Sequence, residues 1–342
     1  MGSTKMHIMG SYGVTEVIGL VTITMIATTA IGIIVFWGIP TMESQKVFVR
    51  VESALKQFKS LNNVIKRVST QGVNKSEWVD FVTDAGQVNI NDGERFILYY
   101  SLIDGFDFTV FDLGDNDDKR FSILLSEKLP TFDWRGGSID VYYPYMDNPI
   151  PDNIVLSDDT INRQLIISPS NNDFSKAVKM EIKHDTNTVV GRIWLFDAGS
   201  ISYDLATNVG TYKIVAENEA TLNIQQGSGY IYQKPSIYNN SYSFVFRITT
   251  LQSVGPTGGA GMSKYEFQIK SNFSSVQENK VQIPRPLRIE TYGDENAVDA
   301  WTDYFKSEFG FSGTNGKLSL DVPTDQEMDF TLVYSLCDVL LR

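Results

Sequence analysis

The chain has 342 residues, 42% of them apolar and 20% charged, a composition that folds and that suits one large or two modest domains. A formal charge of −12 argues against nucleic acid as a partner. The single cysteine, Cys337, excludes an intramolecular disulfide and any multi-cysteine metal centre, and only His7 and His184 are left for histidine chemistry. The charge is divided along the chain. The first 75 residues hold eight Lys and Arg against three Glu, whereas the remainder holds 21 basic and 38 acidic residues. A basic start and an acidic remainder point to two parts with different roles.

Residues 17–39 (VIGLVTITMIATTAIGIIVFWGI) carry no charge. As a helix this run spans about 35 Å at about 1.5 Å per residue, enough for a hydrocarbon core of about 30 Å. Thr15, Thr22, Thr24, Thr28 and Thr29 are placed to bond back to the helix's own carbonyls, and Gly19 and Gly32 allow close helix approach. A cleaved secretory signal would be shorter and would end at a small-residue site; this run ends in Trp-Gly-Ile-Pro, so it is expected to stay in the mature protein. Pro40 then removes a backbone donor and is expected to kink or interrupt the rod. Beyond it, Val47, Val51, Ala54, Phe58, Leu61, Ile65 and Val68 recur at alternating spacings of four and three, an apolar seam on an amphipathic helix over residues 40–72 that Gly72 ends. Such a seam serves either a second copy of the helix, through Val51, Phe58 and Ile65, or the chain's own head.

The segment GSYGVTEVIG at residues 10–19 resembles the class III signal of archaeal type IV pilin-like proteins, on Gly13 followed by Val14-Thr15-Glu16-Val17-Ile18-Gly19. Such leaders usually carry Lys or Arg before the glycine, where this chain has Tyr12. The resemblance implies cleavage by a prepilin peptidase between Gly13 and Val14 and removal of a leader of residues 1–13. It also implies a membrane and assembly helix over 14–39, and self-association in which Glu16 meets a neighbour's new amino terminus. A carboxylate at the membrane end of an apolar helix is costly unless paired, which gives Glu16 a physical reason for such a role; a favourable position in the first helical turn explains it equally. The basic residues follow the apolar run, which by the positive-inside rule opposes export of the head, although long domains translocate largely regardless of charge.

The rest, residues 78–342, reads as a β-rich extracellular head. Alternating or aromatic-rich runs predict strands at 96–102, 106–111, 121–125, 139–143, 164–167, 178–182, 189–196, 211–216, 220–224, 242–249, 265–270, 281–283, 287–291, 318–322 and 330–335, with residues 254–261 a flexible loop. Many short strands between Gly, Asn and Asp turns predict a mainly antiparallel sandwich. Ala297, Val298, Ala300, Trp301, Tyr304, Phe305 and Phe309 fall at helical spacing, with Asn296 as the cap and Gly310 as the stop. The fold expected is therefore α+β: a long N-terminal helix, an antiparallel head and one short late helix. The stretch AVDAWTDYFKSEFG resembles the late helix of an archaeal pilin-like family with no assigned activity, and Trp301 is read as core packing.

Little catalytic chemistry is legible. Asp112, Asp115 and Asp117 in DLGDNDD form a weak calcium candidate without EF-hand spacing, and a solvated hairpin tip is the simpler reading. No nucleophile elbow, phosphate loop or dinucleotide fingerprint is present, so neither enzymatic activity nor a cofactor is expected. Asn74, Asn239 and Asn272 begin glycosylation sequons, as three would by chance. The function expected is structural or adhesive at the archaeal cell surface, anchored in the membrane by the N-terminal helix and assembled through it. A monomeric membrane-anchored binding module is the first alternative. An anchored surface hydrolase, which would need an Asp/Glu pair across an aromatic-lined cleft, is the second.

Overall fold

In the computed structural model, residues 12–83, 85–104, 106–112, 121–126, 137–144, 152–155, 164–167, 177–185, 187–208, 210–240, 242–261, 263–284, 286–321 and 327–342 are described. Helix α1 (Tyr12–Ile33) runs through a π-helical turn (Ile34–Gly38) into helix α2 (Ile39–Gln71). The strands follow as β1 (Ser76–Thr83), β2 (Gln87–Asn91), β3 (Arg95–Ser101), β4 (Asp107–Asp112), β5 (Phe121–Ser126), β6 (Ser138–Tyr142), β7 (Asp152–Val155) and β8 (Gln164–Ile167). Next come β9 (Ala177–Lys183), β10 (Val189–Asp197), β11 (Ser200–Thr207), β12 (Gly210–Glu217), β13 (Ala220–Gln225), β14 (Ser228–Gln233), β15 (Tyr238–Asn240) and β16 (Ser243–Ser253). The chain closes with β17 (Gly258–Ala260), β18 (Ser263–Ile283), β19 (Leu287–Tyr292), helix α3 (Glu295–Phe309), β20 (Ser312–Thr314), β21 (Lys317–Leu320) and β22 (Met328–Leu341). The expected class holds: a long N-terminal helix, a mostly antiparallel β-rich body and a short late helix.

Compactness divides the chain at residue 53, inside α2. The first unit, up to Ser53, is helical where described. The second, Ala54–Arg342, contains the rest of α2 and every strand. The unit that carries the strands thus includes the end of α2, from Ala54 onward.

Pro40 does not break the rod. The proline has no N–H for the carbonyl four residues earlier, and the turn just before it widens so that the Ile39 amide donates to the Ile34 carbonyl. Thr41 Oγ1 donates to the Trp37 carbonyl at 2.6 Å and Ser44 Oγ to the Pro40 carbonyl at 3.0 Å, which satisfies acceptors around the widened turn. Gly72 ends α2 with φ at 95°, a conformation a side chain would resist.

Among the described residues the body holds four sheets, ordered β1-β18-β22-β16-β15, β20-β21-β19-β3-β10-β9-β6-β7, β14-β13-β12-β11-β2-β17 and β4-β5-β8. Among the described residues the pairings are antiparallel except for β16 with β22, which run parallel from Ser243 opposite Asp329 to Ser253 opposite Val339. The two strands expected at 265–270 and 281–283 are one strand, β18. It stays paired with β22 through three register shifts between Ser271 and Val281, and the bulges carry its polar middle. The expected loop at 254–261 contains a short strand, β17, against β2. Its glycines permit this approach, since a Cβ on Gly258 would lie 2.8 Å from Asn89 Oδ1.

Among the described residues, large hydrophobic clusters hold the body. One gathers Phe96, Trp194, Phe244, Phe246, Trp301, Phe305 and Phe330 around α3. Another gathers Ile97, Tyr99, Phe106, Phe108, Ile123 and Ile193. Helix α3 is capped by Asp294, not Asn296: its Oδ1 accepts from the amides of Asn296 at 3.0 Å and Ala297 at 3.3 Å. Gly310 stops α3 in the left-handed region, at φ 74°.

Candidate functional site

The N-terminal helix is the feature that calls for a function. Val17, Ile23, Ile26, Phe36 and Trp37 are exposed, Phe36 to 84%. A soluble surface does not carry a belt of this size, because leaving each such side chain in water forgoes roughly 1.5–3 kcal/mol. No charged residue interrupts residues 17–39. Thr22, Thr24, Thr28 and Thr29 each donate to the carbonyl four residues earlier, at 2.7–2.8 Å, so their hydroxyls need no water. A Cβ on Gly19 or Gly32 would meet nothing within 4 Å. The helix is long and apolar enough to cross a membrane. Gly13, Val14 and Glu16 lie on the first turns of α1, and their side chains are outside the described residues.

The second half of the apolar seam has a different environment. Phe58, Ile65 and Val68 have no exposed surface, and Leu61 has 2%. The Phe58 ring meets Phe81 of β1 edge-on at 5.3 Å, and Phe81 in turn meets Tyr203 of β11 at 5.2 Å. Phe58 and Ile65, expected as assembly residues, thus fill the body of their own chain and offer no face to a second copy. Val51, the third, retains 6% exposure.

Polar contacts fix this part of α2 more tightly than its spacing indicated. The turn between β12 and β13 is buried, with Asn218 at φ 43° and Glu219 at φ 59°. Positive φ at both central residues is the geometry of a two-residue hairpin, for which Asn is well suited and Glu is not. The surroundings hold Glu219 there. Asn62 Nδ2 donates to its carbonyl at 2.5 Å, and Ser69 Oγ and Thr249 Oγ1 donate to its Oε1 at 2.7 and 2.8 Å. Burial lowers the proton affinity of the nearby Lys66 amine, with the Glu219 charge opposing that change. Nothing in the sequence marks this hub, because Asn62 and Ser69 are separated from Glu219 by 157 and 150 positions.

Among the described residues, buried carboxylates also gather away from this hub. Glu94 and Glu217 are both buried; Glu217 accepts from Trp301 Nε1 at 2.5 Å and from the Glu94 amide at 3.2 Å. Desolvation, reinforced by the Glu217 charge, holds the Glu94 carboxyl well above the usual carboxylate range. Both carboxylates are buried, Glu217 against the Trp301 indole. Glu278 pairs with Arg192 at 2.6 Å and with Lys179 at 3.7 Å, and Arg192 also reaches Glu181 at 3.1 Å. Burial raises the Glu278 carboxyl, and the two cations oppose that rise. These charges satisfy one another across β9, β10 and β18.

The remaining sequence candidates contribute less. Asp115 and Asp117 lie outside the described residues, as does the side chain of Asp112 at the end of β4. Among the described residues, no group of three or more His, Cys, Asp or Glu is arranged to hold a metal. His184 Nδ1 lies 3.6 Å from Asp185 Oδ2. Cys337 is buried in β22 as a small hydrophobe, its thiol pushed up to about 12 by desolvation, the opposite of what a nucleophile needs. Among the described residues, cavities open on the body. One of about 380 Å³ is lined by Asn91, Asp92, Asp197, Gly199, Gln252 and Ser253. Another, about 530 Å³, lies between α3 and β14.

No family model matches this chain, and neither the curated proteins nor the solved structures contain a match.

Proposed function

We propose that this chain is a membrane-anchored, pilin-like protein of the archaeal cell surface, with residues 17–39 in the bilayer and the β-rich body outside. The observation that carries the reading is the uncharged belt of exposed aliphatic and aromatic side chains on α1, with hydroxyls already bonded within the helix. A bilayer removes that surface from water and asks nothing else of the backbone. The resemblance of residues 10–19 to a class III signal supports processing by a prepilin peptidase between Gly13 and Val14. Assembly into a filament then falls to the exposed part of the helix, with Glu16 setting register, because Phe58 and Ile65 are already engaged by the body. The work of the body is structural or adhesive.

A monomeric anchored binding module is the second reading, and the burial of Phe58 and Ile65 favours it, since the seam is complete without a second chain. Two measurements on protein from the native host decide between them. Amino-terminal sequencing beginning at Val14, together with lysine-independent crosslinks between α1 helices, supports the filament. A chain that begins at Met1 and remains monomeric in membranes removes it.

A further inference from the structure

The sequence writes one signal three times, an asparagine two residues before a serine: Asn74-Lys75-Ser76, Asn239-Asn240-Ser241 and Asn272-Phe273-Ser274. The fold treats the copies differently. The first spans the turn from α2 into β1. Asn74, Lys75 and Ser76 are all exposed, and among the described residues neither the Asn74 side-chain amide nor the Ser76 hydroxyl bonds another group. Backbone contacts hold the turn instead: the Asn74 N–H donates to the Ser271 carbonyl at 2.8 Å, and the Ser271 N–H donates to the Lys75 carbonyl at 2.9 Å. Asn74 stands at φ 67°, a conformation Asn tolerates better than most side chains. Space is open around the turn, since a Cβ on Gly72 would meet nothing within 4 Å and Val73 is 50% exposed.

The third copy lies in β18, an inner strand with β22 on one side and β1 on the other. Asn272 Nδ2 donates to Asp338 Oδ2 at 2.6 Å. Ser274 Oγ donates to the Ser69 carbonyl at 3.1 Å and lies 3.0 Å from Ser335 Oγ. Both groups that make the signal are thus in use within the fold. In the second copy Asn239 is exposed on β15, and Ser241 lies outside the described residues.

We infer that Asn74 is a site of N-linked glycosylation and that Asn272 is not. The inference rests on the reading that the body lies outside the membrane. The donor is an oligosaccharide carried on a polyisoprenyl phosphate. Asn74 Nδ2 forms a bond to the anomeric carbon of that oligosaccharide, and the bond from this carbon to the phosphate oxygen breaks. The lipid phosphate leaves with the bonding electrons, and Nδ2 gives up one of its two protons to the transferring enzyme. A carboxamide nitrogen is a weak nucleophile, so the enzyme has to engage both the amide and the serine hydroxyl, and a group already bonded within the fold has to be released first. The product is bulky and hydrated and needs room. Asn74 and Ser76 meet both conditions, whereas Asn272 would have to give up Asp338 and Ser274 its contacts with Ser69 and Ser335.

The test takes the full chain from its native host and maps its peptides for attached saccharide by mass spectrometry. In parallel, intact cells are treated with a membrane-impermeant amine reagent, which reports whether the exposed Lys234 and Lys264 of the body face outside. The expected result is labelled lysines, a saccharide mass on the peptide that holds Asn74, and a bare peptide around Asn272. Ser76→Ala, which leaves Asn74 in its turn, is expected to abolish that mass, and Ser76→Thr to keep it. Melting of both variants like the wild type separates a lost signal from a lost fold. The inference is overturned, with the membrane reading intact, if the lysines are labelled and Asn74 is bare. It is overturned equally if Asn272 carries the saccharide as Asn74 does, as transfer before folding would produce, or if Ser76→Ala leaves the mass in place. Unlabelled lysines with a bare Asn74 overturn the external placement of the body, and the inference with it.

Discussion

Residues 17–39 and residues 54–71 belong to one run of helix and are both rich in aliphatic side chains, yet their environments are opposite. In the first, side chains such as Ile23, Ile26 and Phe36 stand exposed. In the second, Phe58, Leu61, Ile65 and Val68 are enclosed, while Lys59, Arg67 and Thr70 face water. The difference lies in the period of the apolar residues more than in their number. A seam repeating at four and three residues defines one face, and a sheet can cover one face. A helix that is apolar all round has no face to leave in water, so only a surrounding apolar phase or several neighbours satisfy it.

The sharpest way to break this comparison is to cut one large side chain from each stretch. Phe58→Ala empties a fully buried site against Phe81 and should cost about 3–5 kcal/mol in denaturant unfolding of the body. Phe36→Ala should leave that unfolding curve where it is. Equal effects from the two would dissolve the distinction between the stretches.

A charge in the span tests the other side of the comparison. Ile26→Lys should oppose insertion by about 2.5–3.5 kcal/mol, read as the inserted fraction in a translocation assay, with no change in the melting of the body.

Smaller effects sharpen the picture of how α2 is held. Ser69→Ala removes one of two hydroxyl donors to the buried Glu219 carboxylate and should destabilise the body by about 1–3 kcal/mol, measured by chemical unfolding. If it is neutral, apolar packing alone fixes the helix.

The smallest effect concerns pH. Glu94 holds its proton more tightly in the folded body than in the unfolded chain. Its contribution to stability is therefore fully present below the ordinary carboxylate range, about 4.3, and is lost as pH rises towards its elevated folded value. Glu94→Gln should flatten this fall, with a gain on the order of 1 kcal/mol at the alkaline end. A variant with the wild-type pH profile would place the proton elsewhere.

Much of this was legible in the sequence, and the parts that were not have physical reasons. Apolar and β-branched runs such as Gln164–Ile167 and Leu287–Tyr292 announced their strands, and Gly72 and Gly310 their helix ends. Strand β11, SISYDLAT, has the right alternation in Ile201, Tyr203 and Leu205, but its Ser and Asp positions read as a turn until β2 and β12 flank it. The middle of β18 reads as a polar loop because its bulges are set by the partner β22 and not by local propensity. Asn296 and Asp294 are both good caps, and only the geometry of the turn selects Asp294. The close approach of β14 to α3 at Gly229 was not legible either, because Gly229 and Asn296 are far apart in the chain and no spacing rule joins them.

The central claim is that residues 17–39 anchor the chain in a bilayer while the unit from Ala54 onward folds without one. Flotation with lipid vesicles, followed by alkaline carbonate extraction, tests it on the full chain and on residues 54–342 side by side. The account predicts that the full chain floats and resists extraction, and that residues 54–342 stay in solution with β-rich circular dichroism. A full chain released by carbonate, or a truncated chain that floats with the vesicles, would contradict it.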